Sequence, residues 1–179
     1  YAHSEKVIHR DIKPSNIMME QGRNVRLMDL GIADITDTVN SATSGMMGTP
    51  KYAAPEQFSD KETKPQLTAA TDIYEAVVTL YELLTAYNPF NANTVAEAKE
   101  MHQETILEKR GGMSDAVYAV IRKATAINPK ERYQHASEMK MDLNQALMAP
   151  PPADHKWLYI AGAVAGVIML IVIILLLIL

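Results

Sequence analysis

The sequence predicts a mainly α (α+β) chain: a helical domain with a short β element at its front, followed by a single transmembrane helix. Three observations carry that expectation. Apolar residues recur at helical spacing in three segments after residue 72, while the first 35 residues hold only brief apolar runs separated by polar loops. The last 23 residues, Trp157 to Leu179, contain no charged residue, and only Gly162 and Gly166 fall outside the apolar set.

The β element rests on Val7-Ile8, Ile17-Met18-Met19 and Val25 to Met28, with turn chemistry in Gln21-Gly22-Arg23-Asn24 between the last two. Residues 36–66 are rich in Thr, Ser, Gly, Asp and Pro with little periodicity. A segment of that length inside a domain is usually functional rather than a connector. Ile73, Val77, Leu80, Tyr81 and Leu84 then form an i, i+4, i+7, i+8, i+11 stripe. Thr94-x-x-Glu97 reads as a capping box opening a weaker helix through about residue 108. Val117, Val120, Ile121 and Ala124 mark another helix, stopped by Asn128-Pro129. Ala136, Met139, Leu143 and Leu147 mark the last one before the tail.

Twenty-three apolar residues in a helix span about 34 Å, enough for a hydrocarbon core of about 30 Å. Trp157 and Tyr159 stand where interfacial aromatics do, with His155 and Lys156 just outside, which favours a single-pass membrane protein whose N-terminal domain is cytoplasmic. The alternative, a buried core helix, rarely runs this long without a polar face. Gly162 and Gly166 form a G-x-x-x-G spacing compatible with a homodimer, though small residues are common in membrane helices. The expected organisation is a domain over 1–148, a Pro-rich juxtamembrane linker over 149–156 and a lipid-embedded helix over 157–179.

Every charge of the 179 residues lies before that helix, and the balance is −4, which argues against a nucleic-acid partner. With no cysteine, a disulfide scaffold and cysteine-ligated zinc are excluded. The five histidines show no metal-ligand spacing.

The chemistry concentrates in His9-Arg10-Asp11-Ile12-Lys13-Pro14-Ser15-Asn16, a loop dense in acid, base and amide groups between apolar runs. Thirteen residues after Asn16 comes Asp29-Leu30-Gly31, directly after the Val25–Met28 run, and 27 residues after Asp29 comes Glu56, in Ala54-Pro55-Glu56. Each motif alone is weak; their order and spacing together are specific. They resemble the catalytic loop, metal-binding acid and A-P-E boundary of the protein kinase family, over residues 1 to about 148 and thus the C-terminal lobe of that fold. Lys13 and Gly48-Thr49-x-x-Tyr52-x-Ala54-Pro55-Glu56 look like its serine/threonine branch, and the C-terminal membrane helix resembles bacterial receptor-type kinases.

The resemblance implies ATP and magnesium as cofactors and protein Ser/Thr hydroxyls as substrates. It makes Asp11 the acceptor of the substrate hydroxyl proton and Lys13 the cation on the transferring phosphoryl. Asn16 and Asp29 become oxygen ligands of the metal. Met18 falls at the adenine floor, with plain core packing as the equal alternative. Arg10 is expected to face a phosphorylated residue of the segment that follows; Thr43 is the preferred phosphosite, then Thr38 and Ser41, although most such hydroxyls are loop groups only. Thr49 is read as positioning Asp11 and Lys13, Glu56 as pairing with Arg132, and His9 as a structural residue. Asp72 either braces the catalytic-loop backbone or caps a helix as Asp72-x-x-Glu75.

Two departures stand out: Leu30 replaces the usual Phe, and Glu75-Ala76-Val77 stands where the family commonly has a small residue and, two positions on, Gly. The Gly-rich loop and strand lysine that clamp ATP do not occur in this sequence. The expectation is therefore a fragment of a membrane-anchored Ser/Thr kinase lacking its N-terminal lobe. The alternative is a catalytically inactive truncated or pseudokinase module that docks partners at the membrane.

Overall fold

The computed structural model describes residues 2–20, 24–29, 49–59 and 66–148. It is mostly helical, with one two-stranded sheet at its front. The chain enters through Ala2–Lys6, which closes as helix ends do: Val7 N–H reaches the Ala2 carbonyl at 2.9 Å and Lys6 N–H the His3 carbonyl at 3.0 Å, with Lys6 at φ +61°. Because those groups serve a helix-end turn, Val7-Ile8 is not the strand that its apolar character suggested.

Strands β1 (Ile17–Glu20) and β2 (Asn24–Leu27) pair antiparallel with Ile17 opposite Leu27 and Met19 opposite Val25. Only Val25 of the two strands is fully buried, so this ribbon is held by its neighbours rather than by a core of its own. A 3-10 turn, Pro14–Asn16, leads directly into β1.

Helix α1 (Ala69–Thr85) is the central post. Thr68 caps it, its Oγ1 accepting from Ala70 N–H at 3.3 Å while Thr71 Oγ1 accepts from Thr68 N–H at 3.1 Å. Asp72 lies a full turn inside the helix, which overturns the helix-cap alternative for it. Every residue from Ala70 to Tyr81 is buried, not just the apolar stripe, so Thr71, Asp72, Glu75 and Thr79 sit within the protein and must find partners there.

Helix α2 (Val95–Glu104) starts at Thr94, whose Oγ1 accepts from Glu97 N–H at 3.1 Å. The Glu97 carboxylate accepts from Asn93 N–H at 2.8 Å rather than from Thr94, so the expected box is displaced by one residue. The helix stops four residues short of the expected 108. Thr105 turns extended, and the Leu107 and Glu108 carbonyls accept instead from the Tyr118 and Tyr81 hydroxyls at 2.9 and 3.0 Å.

Helix α3 (Asp115–Ala124) is capped by Ser114 and buries Val117, Val120, Ile121 and Ala124, the whole expected stripe. It packs on both α1 and α4 (Ala136–Met148). In α4 the inward row is Ala136, Met139, Leu143 and Ala146; Leu147, one position further round the helix, is 37% exposed, against expectation. Among the described residues no helix is long and apolar enough to cross a membrane. Residues 149–179, with the expected linker and transmembrane helix, lie outside them.

Candidate active site

The loop from His9 to Asn16 is pinned to α1 by its main chain. Asp72 Oδ2 accepts from His9 N–H and Oδ1 from Arg10 N–H, both at 2.9 Å, and Arg10 takes the left-handed conformation, φ +68°. The His3 ring approaches Asp72 Oδ2 at 2.8 Å. His9 is buried; its Nε2 donates to the Met28 carbonyl at 2.9 Å and its Nδ1 accepts from Asp11 N–H at 3.3 Å. One buried carboxylate and one imidazole thus fix the backbone that carries Asp11.

The Asp11 side chain sits among three partners. Its Oδ1 accepts from Thr49 N–H at 3.0 Å and from Thr49 Oγ1 at 2.8 Å. Its Oδ2 lies 2.8 Å from Lys13 Nζ and 3.2 Å from Asn16 Nδ2. Lys13 Nζ also donates to Thr49 Oγ1 at 2.6 Å, closing the triangle Asp11–Lys13–Thr49. Partial burial works to raise the Asp11 pKa, but the hydrogen bonds from Lys13 and Thr49 and the Lys13 charge outweigh it and hold the carboxyl below its ordinary value. Asp11 is therefore an ionised acceptor at neutral pH, and a third of its side chain is exposed to solvent.

Asn16 is buried, and its Nδ2 also donates to the Asp11 carbonyl at 2.8 Å, leaving Oδ1 as the amide's acceptor atom. Met28 N–H donates to the Asn16 carbonyl at 2.7 Å, so the residue before Asp29 is tied to both ends of the loop. Asp29 itself is exposed at φ +59°. Among the described residues no group of three or more His, Cys, Asp or Glu is arranged around a metal. One amide oxygen and one carboxylate instead suit magnesium, which keeps waters and substrate phosphates for its remaining positions. Met18 is 47% exposed on β1. Thr38, Ser41 and Thr43 lie outside the described residues.

Glu56 and Arg132 form a two-pronged pair, 2.9 Å on each arm, with side chains 5% and 0% exposed. Thr71 Oγ1 adds a donor to Glu56 at 2.9 Å, and the guanidinium also donates to the Ala126, Ile127 and Ala70 carbonyls. The Glu56 end of the Thr49–Phe58 segment is thereby fastened to α1 and to the Pro129–Glu131 turn.

Two groups around this site escaped sequence reasoning. Glu75 Oε2 accepts from Ile12 N–H at 2.7 Å, inside the protein. Desolvation, with the Asp72 charge beside it, pushes its carboxyl well above the usual range. His102 Nε2 donates to the Pro50 carbonyl at 2.9 Å and its Nδ1 accepts from Tyr74 Oη at 2.8 Å, while its ring stacks on Phe90 at 3.7 Å. The available signal was Asp72, Glu75 and Thr79 at i, i+3 and i+7, a polar row inside an apolar helix.

Comparison with known proteins agrees with this arrangement. The family model for the protein kinase domain matches residues 1–144. The chain is 36% identical over 163 residues to serine/threonine-protein kinase PknB of Mycobacterium tuberculosis, covering 87% of this chain and 25% of that protein. It is 34% identical over 154 residues to serine/threonine-protein kinase PrkC of Bacillus subtilis, covering 83% and 23% respectively. The probable serine/threonine-protein kinase of Corynebacterium efficiens is 37% identical over 153 residues, covering 79% and 23%. The chain thus spans about a quarter of the length of these relatives.

Proposed function

Because this chain belongs to the protein kinase family, we propose that it carries the phosphoryl-transfer machinery of a Ser/Thr protein kinase, as the C-terminal lobe of a larger, membrane-anchored enzyme. The observation that supports this most is the closed Asp11–Lys13–Thr49 triangle with Asn16 against its open side. Phosphoryl transfer asks a protein mainly to position groups and neutralise charge, and these residues are set for both.

In this reading Asp11 orients the substrate hydroxyl and accepts its proton on the exposed part of the carboxylate. Lys13, 2.8 Å away, offers its charge to the transferring group, and Thr49 holds acid and lysine together while the segment beginning there presents the peptide. Asn16 Oδ1 and Asp29 would hold magnesium, which would neutralise charge developing on the phosphoryl group that ATP supplies. Met18, exposed on β1, is available to the adenine. Asp72 braces the loop, the Glu56–Arg132 pair anchors the far end of the substrate-side segment, and Arg10 meets a phosphorylated residue, Thr43 first. Residues 157–179 anchor the enzyme in the bilayer, with dimer contacts through Gly162 and Gly166.

The test is phosphate transfer from ATP to Ser/Thr peptides by the complete protein in membranes, with and without Asp11→Asn. Loss of at least about a hundredfold in kcat is expected. A variant that turns over like the parent refutes the assignment of Asp11, and recovery of the chain outside the membrane fraction refutes the anchor.

A further inference from the structure

Glu75 is a carboxyl group in the middle of α1, 1% exposed, whose described partners include no cation. Burying such a group is costly, and its hydrogen bonds reach the catalytic loop directly at Ile12 and indirectly through Gln57. Oε2 takes Ile12 N–H at 2.7 Å, and the side chain also bonds Gln57. Gln57 in turn donates Nε2 to the Arg10 carbonyl at 2.9 Å and accepts from Ala54 N–H. One turn along α1, Thr79 Oγ1 donates to the Ile12 carbonyl at 3.3 Å.

These bonds bracket a single residue. Asp72 holds the amides of His9 and Arg10, before Asp11. The Arg10 carbonyl, also before it, goes to Gln57, whereas the Ile12 amide and carbonyl, after it, go to Glu75 and Thr79. Asp72 does not reach the peptide after Asp11: Asn16 Nδ2 holds its carbonyl at 2.8 Å, and its amide side, Ile12 N–H, is left to Glu75.

We propose that Glu75 is a second positioning residue of the catalytic loop, which fixes the peptide after Asp11 directly and the peptide before it through Gln57, and so aims the carboxylate. This rests on the reading of Asp11 as the proton acceptor, but the contact itself is testable without turnover. Glu75→Met keeps the volume and removes the buried acid, so the fold survives while Ile12 N–H loses its acceptor. Glu75→Gln keeps an acceptor oxygen for that amide.

In the complete protein, Glu75→Met is expected to lower kcat by about 30-fold or more, as for a small misplacement of a reacting group, with KM for ATP and peptide within about twofold. Hydrogen exchange at Ile12 is expected to quicken about tenfold or more while Val120 and Ile121 in α3 are unchanged. Glu75→Gln should restore kcat to within about threefold of the parent. Parent-like kcat in Glu75→Met, an equal loss in Glu75→Gln, or unchanged exchange at Ile12 overturns the proposal. Quickened exchange in a protein that Asp11→Asn leaves fully active overturns only the reading of Asp11.

Discussion

Replacing Arg132 by methionine removes the group around which two parts of the chain meet. The guanidinium side chain has no exposed surface and spends its donors on both Glu56 oxygens at 2.9 Å and on the Ala126, Ile127 and Ala70 carbonyls at 2.6, 2.9 and 3.2 Å. Methionine fills much of the same space, so the loss is electrostatic: among the described residues, a carboxylate 5% exposed keeps only the Thr71 hydroxyl. Leaving a buried charge without its partner costs about 3–5 kcal/mol, a large share of the roughly 5–15 kcal/mol by which a domain is stable. Urea unfolding followed by helical circular dichroism checks this, as a fall in midpoint at unchanged slope. The double variant Glu56→Gln/Arg132→Met no longer buries a charge and should recover about 1–3 kcal/mol of that loss. The reasoning fails if Arg132→Met costs less than about 1 kcal/mol, or if the double variant is less stable than Arg132→Met alone.

Burial depresses the His102 pKa from 6.5 to about 4, only partly offset by its bond to the Pro50 carbonyl. The unfolded chain therefore binds the proton more readily, and the neutral ring contributes stability that is complete above about pH 6.5 and lost as pH falls to 4, about 3 kcal/mol in all. Urea midpoints of the parent minus those of His102→Gln across that range should trace the loss; parallel curves would refute it. Gly111 lies at φ +65°, where an added Cβ would stand 3.0 Å from the Leu84 carbonyl oxygen. Gly111→Ala should cost about 1–2 kcal/mol, and an unchanged thermal midpoint contradicts that.

The helices were legible because their apolar rows match one period, and the α3 row is buried as read. What was not legible came from long-range partners. Nothing local announces that Tyr81 and Tyr118 take the carbonyls after α2 and shorten it, or that β1 is exposed enough to leave Met18 outside the core. At the site, the motif residues could be named because each chemical role demands one residue type at one spacing. Glu75 was visible only as a capping-box partner and a departure from the family pattern, and His102 belongs to no motif; their importance arises from being enclosed, a property of the surrounding packing. The polar row Asp72, Glu75, Thr79 was visible but was not read as buried, because polar groups on a helix are ordinarily solvated.

The partners of the catalytic loop are far away along the chain. His9, Arg10 and Ile12 bond to groups 62 to 67 residues later, and Glu56 waits 76 residues for Arg132. On the ribosome the loop is thus made long before anything can hold it. At about 5–20 residues per second, its amides remain in water for several seconds until α1 emerges, and the substrate-side segment stays unfastened until the Arg132 turn follows. The order in which this chain is synthesised is the reverse of the order in which its site can become rigid. A nascent chain cut off before α1 would carry the full signature of the chemistry and none of its geometry.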